Sequence, residues 1–203
     1  MEYEWHKQDG RFSVCSPVVE LMVSGAAEIC AQLWSSYQYS PFHDNENAGV
    51  SILLGGASKK GLLAVSEYPV DKKAWAIIQK KRDGRKLNKK DIQDLIVGRA
   101  DLWITDQNIC FSFEFKKTSE RDGTPHGPKR TINDLTALLK LAAEEVDRLD
   151  GNEYNHALGG IIAPVFDQAK EPLYLEFAKK SHLALSIGSG SPRAVYLYFT
   201  GKR

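Results

Sequence analysis

The sequence predicts an α/β domain built on a mixed central β-sheet flanked by helices. Apolar residues recur at helical spacing in two long stretches, 18–34 and 132–149. Short apolar or alternating runs at 50–54, 62–65, 99–105, 109–116, 158–166 and 194–200 have the length of strands. Helices and strands therefore interleave along the chain, the order of an α/β rather than an all-helical or all-strand protein. The 203 residues, 42% hydrophobic and 26% charged, suit one domain spanning residues 1–203 with an ordinary core.

Taken in order, Ser16-Pro17 reads as a helix cap followed by proline in the first turn. Val18, Leu21, Met22, Ile29, Leu33 and Trp34 then share helical spacing. Residues 40–49 read as a loop, with His43-Asp-Asn-Glu46 a turn in it. Residues 50–54 and 62–65 follow as the strands of a hairpin. A short helix is expected at 72–79, and another runs from Asn88 as cap to Val97, with Gly98 closing it. Residues 99–105 and 109–116 form the clearest strand pair, turning at Asp106-Gln107-Asn108. The amphipathic helix 132–149, a buried strand at 158–166, a short helix at 173–180 and a last strand at 194–200 complete the reading.

Charge and cysteine content narrow the function classes. A net charge of +1 argues against a histone-like basic coat but leaves room for a local basic face. The charged N-terminus lacks an apolar leader, and no apolar run is long enough to span a bilayer, so a cytoplasmic protein with no membrane partner is expected. Cys15, Cys30 and Cys110 cannot all pair and form no CxxC, as in a reducing compartment. Phosphate-binding and nucleophile-elbow motifs are missing. The Gly188-Ser-Gly190 segment runs into Pro192 and a strand where a dinucleotide loop needs a helix N-terminus.

The strand pair carries the chemistry. A tight turn at Asp106-Gln107 sets Ile104 opposite Ile109, Trp103 opposite Cys110 and Asp101 opposite Ser112. Alternation then puts Asp101, Trp103, Cys110, Ser112, Glu114 and Lys116 on one face, and Leu102, Ile104, Ile109, Phe111, Phe113 and Phe115 on the other. The apolar face belongs on the core. The polar face holds two diagonal carboxylates roughly 7–8 Å apart at Cα, a spacing a hard cation can bridge. Lys116 lies one pleat further on, suited to an attacking water or to transition-state charge.

Ala100-Asp101, a turn, and Glu114-Phe115-Lys116 resemble the signature of the PD-(D/E)XK nuclease superfamily, with Ala100 where the name has proline. The resemblance implies a restriction-endonuclease-like αβββαβ core and hydrolysis of phosphodiester bonds with Mg²⁺ or Mn²⁺. Asp101 and Glu114 would be the metal ligands, and Lys116 would complete the catalytic set. Members of the superfamily add a glutamate from the first helix. Glu20 and Glu28, about 80° apart on the helical wheel, are the candidates, and Glu20 is preferred. The helix after the motif lacks the exonuclease branch's Gln-x-x-x-Tyr pattern, so the chain is not assigned to that branch; a DNA endonuclease is the leading expectation from the resemblance. An RNA-cleaving nuclease and a non-catalytic nucleic-acid-binding or assembly protein on the same scaffold remain alternatives, and a homodimer is compatible with the superfamily.

A basic connector offers the partner surface. Residues 80–90 hold seven basic side chains and one acid. Lys80, Lys81, Arg82, Arg85, Lys86, Lys89 and Lys90, with Lys129 and Arg130 ahead of the long helix, are the expected nucleic-acid contacts.

Overall fold

The computed structural model describes residues 1–73, 80, 83–86, 95–106, 109–119, 127–149 and 155–201. The chain is a mixed α/β protein. Among the described residues the strands are β1 (Tyr3–Gln8), β2 (Leu63–Lys73), β3 (Leu95–Asp106), β4 (Ile109–Lys117), β5 (His156–Pro164), β6 (Leu183–Ile187) and β7 (Val195–Gly201). They form one sheet in the order β1-β6-β7-β5-β4-β3-β2. Only β4 and β5 run parallel, and every other neighbouring pair is antiparallel.

Among the described residues four α-helices cover the sheet: α1 (Ser16–Tyr37), α2 (Glu46–Lys59), α3 (Pro128–Arg148) and α4 (Glu171–Ala178). Helices α1 and α2 pack on one face over Leu102, Ile104, Phe111, Phe113, Phe115, Ile162, Leu197 and Phe199. The other face holds Ile161, Ala163, Tyr196 and Tyr198 under Leu135 of α3 and Tyr174 and Phe177 of α4. This is the three-layer arrangement that buries both faces of a sheet. None of the helices among the described residues is long and apolar enough to cross a membrane.

Several expectations change. Residues 50–54 are not a strand but the middle of α2. Asn45 caps that helix, accepting the Ala48 N–H at 2.8 Å, and Glu46 sits in its first turn, where the helix dipole favours an acid. Gly55-Gly56, which falls in the connection of the expected hairpin, is helical, and α1 and α2 cross there at backbone contact. A Cβ on Gly25 would lie 2.2 Å from the Gly56 carbonyl oxygen. Helix α1 is capped by Cys15 without a side-chain bond, leaving Ser16 inside its first turn.

Lys72 and Lys73 end β2 rather than beginning a helix, and the rest of 74–79 lies outside the described residues. So does most of the expected 88–97 helix, whose last residues already belong to β3. Gly98 is therefore a strand residue. It makes room for Lys72, whose Cδ would be 2.8 Å from a Cβ there. Strands β1 and β6 were not anticipated; they pair with each other, Tyr3 against Ile187.

Candidate active site

The β3–β4 hairpin forms with a different register from the expected one. Trp103 faces Ser112, Ile104 faces Phe111 and Asp106 faces Ile109. Residues 107–108 lie outside the described residues, and Asp101 is not opposite Ser112. The shift is two residues, so alternation survives it. Leu102, Ile104, Phe111, Phe113 and Phe115 all enter the apolar core, and Ser112 and Glu114 point to the α3 side. Tyr68 donates to Ser112 Oγ at 2.7 Å, and Glu114 meets a lysine there.

Asp101 departs from this alternation. Leu62, just ahead of β2, and Ala64 within it pack on the α1–α2 core, whereas Tyr68 and Val70, of the same parity, pack with Leu149 beyond α3. The strand therefore turns over between them, at Glu67, whose φ is 48°. A left-handed non-glycine residue inside a strand marks a local irregularity of the kind that re-aims side chains. Strand β3 turns over at the same rung. Leu102 lies on the α1–α2 side, Ala100 on the other, and the pairs Ser66–Leu102 and Tyr68–Ala100 bracket Glu67 and Asp101.

The consequence is a gap. Pairing between β3 and β4 runs from Asp106–Ile109 to Leu102–Phe113. Beyond it the Asp101 carboxylate occupies the place of a backbone acceptor, taking the Phe115 N–H at 2.6 Å. That charge-assisted bond satisfies a donor the departing strand leaves behind. Lys116 reaches into the same gap and donates to the Phe115 carbonyl at 2.8 Å. Asp101 also lines a pocket of about 90 Å³ with Asn47, Val50, Ser51, Ser66 and Glu67, so it looks toward α2.

Glu114 is 2% exposed. Its Oε1 lies 2.7 Å from Lys72 Nζ, which stands 3.8 Å from Glu145 of α3. Oε1 nevertheless lacks a well-directed hydrogen-bond donor among the described residues. Burial pushes the Glu114 carboxyl up to about 7; Lys72 opposes the rise, and the charges of Asp101 and Glu145 add to it.

Glu46 was read as part of a turn, yet it is the acid that α2 brings to this gap. Burial raises its pKa, the Asp101 charge adds to the rise, and the Lys116 ammonium, the Lys117 N–H and the Lys117 charge oppose it. Glu20 does not come here. It accepts a hydrogen bond from Tyr3 of β1 at 2.7 Å, at the far end of the sheet from β3. Glu28 pairs with Lys59 and Lys60 on the outer surface of the helix pair. The clue to Glu46 was the Asn45 cap, which makes the next residue the first of a helix.

The basic connector contributes little that can be placed. Lys81, Arg82, Lys89 and Lys90 lie outside the described residues; Arg85 stands 3.6 Å from Asp83, and Lys86 is exposed while Lys80 is half-buried. Lys129 and Arg130 are exposed in the first turn of α3, where the helix dipole disfavours cations. They sit at the same end of the sheet as Lys116, because Ser119, two residues past β4, is bonded to Asp134 of α3.

Cys15 and Cys30 are buried and unpaired, and burial raises both thiols to about 11, far from nucleophilic. Among the described residues no three His, Cys, Asp or Glu side chains are gathered into a ready metal cage. In comparisons with known proteins, no family model, no curated relative and no solved structure matches this chain.

Proposed function

We propose that the chain is a metal-dependent phosphodiesterase of the PD-(D/E)XK kind, acting on DNA. The observation that carries this reading is the gap at the Asp101 rung. Asp101 lies there on the α2 side, close enough to Glu46 and Lys116 for their charges to act on one another, while Glu114, on the α3 side, feels the Asp101 charge through the sheet. The element order α2-β2-β3-β4-α3-β5, an antiparallel meander followed by a helical crossover to a parallel strand, supports this reading.

The donor set suits a hard cation. Burial makes Glu46 and Glu114 hold their protons more tightly than usual, and the Asp101 charge adds to both effects, so a bound cation would favour their ionised forms. Mg²⁺ or Mn²⁺ needs only one or two carboxylates, taking water and phosphate oxygens in its other positions. Asp101 would be the principal ligand, with Glu114 behind it, and Glu46 takes the part the sequence assigned to Glu20. When bound, such an ion lowers the pKa of water and offsets charge on the phosphate.

The chain's own groups do the rest. Asp101 is held in orientation by the Phe115 N–H. Lys116, anchored on the Phe115 carbonyl, presents an ammonium to the scissile phosphate. Lys129 and Arg130 extend the positive field along the same end. The test is Mg²⁺-dependent cleavage of duplex and single-stranded DNA. Lys116→Ala and Asp101→Asn should abolish it without loss of folding, and variants that cut at the parent rate would end this assignment.

One observation favours a second reading. Lys72 already neutralises Glu114 inside the protein, as expected of a scaffold that binds nucleic acid without cutting it. Calorimetric titration with Mn²⁺ separates the two, since a working site binds the ion and loses it in Asp101→Asn.

A further inference from the structure

An aromatic surface lies beside the proposed site and has no part in it. Helix α1 ends in Trp34, Tyr37 and, past the left-handed Gln38, Tyr39. Tyr37 is 75% exposed and Tyr39 43%. Arg193, from the β6–β7 loop, lies over the Trp34 ring at 4.6 Å. Its neighbour Ala194 accepts the Val165 N–H at 2.8 Å, which brings Phe166 alongside. Phe166 is edge-on to His43, and the Lys117 ammonium lies 5.9 Å over its ring.

The patch is continuous with the gap at Asp101. Tyr39 donates to Asp44 at 3.2 Å, two residues before Glu46, and the Lys117 N–H is a partner of Glu46. The chemistry is that of aromatic faces interleaved with cations. Of the nearby acids, Asp44 accepts from the Tyr39 hydroxyl at the edge of that ring and leaves its faces clear, and Asp167 is held by the Ala169 N–H and, more distantly, by Lys170 at 3.8 Å. Rings that offer flat faces next to a guanidinium and an ammonium match unpaired bases and their phosphates. In duplex DNA the base faces are already stacked on one another.

We propose that this surface binds a single strand of DNA, stacking unpaired bases on Tyr37 and Tyr39, with Arg193 and Lys117 on the backbone. The proposal rests on the nucleic-acid reading of the neighbouring site and gives it a substrate class: DNA with an unpaired segment next to the bond to be cut.

Fluorescence anisotropy with a labelled oligonucleotide, in EDTA so that no metal or cleavage is involved, tests it. The single strand should bind more tightly than its duplex. The double variant Tyr37→Ala with Tyr39→Ala should lose at least about tenfold in affinity, whereas Tyr37→Phe with Tyr39→Phe, which keeps both rings, should retain it. Thermal melting of both variants should match the parent, because these side chains are exposed. Unchanged affinity in the alanine pair, equal binding of the duplex, or tighter binding of RNA of the same sequence overturns the proposal. A protein that binds single strands through the tyrosines and never cleaves them defeats the hydrolase reading alone. One that cleaves DNA while indifferent to the tyrosines defeats only this inference.

Discussion

The ammonium of Lys72 and the carboxylate of Glu114 lie 2.7 Å apart with almost no solvent access, linking β2 to the strand two places away. Their neighbour Gly98 has no side chain to obstruct the lysine stem. Removing one member of a buried pair leaves the other charged and unmatched, which typically costs about 3–5 kcal/mol. Lys72→Met should therefore lower the urea midpoint strongly at pH 8. At pH 5 the loss should be smaller, since Glu114 can then take a proton. Equal losses at both pH values would show that the two side chains do not share charge in solution.

The raised pKa of Glu114 sets a pH dependence of its own. In the unfolded chain the carboxyl titrates near 4.5, in the folded protein near 7. The folded state thus holds the proton more tightly. The associated stability is fully present below the lower value and is lost as pH rises to the upper one. At about 1.4 kcal/mol per pKa unit, the swing is a few kcal/mol. Glu114→Gln should remove it. Urea midpoints of metal-free parent and variant, followed across that window, should diverge progressively; parallel curves would refute the assignment.

The helix acid of the site is open to a direct comparison. Glu46→Gln should weaken Mn²⁺ binding measured by calorimetry, and Glu20→Gln should leave it unchanged, because Glu20 is bonded to Tyr3 at the other end of the sheet. The reverse result would move the site.

Helices α1 and α2 should tolerate nothing larger than glycine at their crossing. A Cβ on Gly25 meets backbone rather than a movable side chain, so Gly25→Ala must push the helices apart. A loss of about 1–3 kcal/mol or more is expected, read as a drop in melting temperature; a stabilised variant would contradict the packing.

Thiol labelling should resolve the cysteines. Cys110, only half-buried, should react with a thiol reagent in the native protein. Cys15 and Cys30 should react only after denaturant exposes them, and three equally fast thiols would be inconsistent with the core described above.

Much of the hairpin was legible in the sequence because strand alternation is a strict period. The phenylalanine row 111, 113 and 115 fixed the core face, and a register error of two residues left that face unchanged. The turn-over at Glu67 and Asp101 was not legible. It depends on a left-handed glutamate, a residue with no compositional preference for that conformation. Residues 50–54 were misread because a short apolar run has no period to separate helix from strand, and Gly55-Gly56 masked a helix that only its contact with Gly25 explains. Strand β1 was overlooked because Tyr3–Gln8 is largely polar, as an edge strand can be. Glu46 was hidden by the same error that hid the start of α2.

The pairing of β1 with β6 joins two segments far apart along the chain. Residues 3–8 are synthesised well before their hydrogen-bonding partners, 183–187. Until those partners emerge, the earlier segment must wait with its backbone groups in water. The sheet can grow outward from its local meander, but that border closes only over a long loop, and such closure is slow.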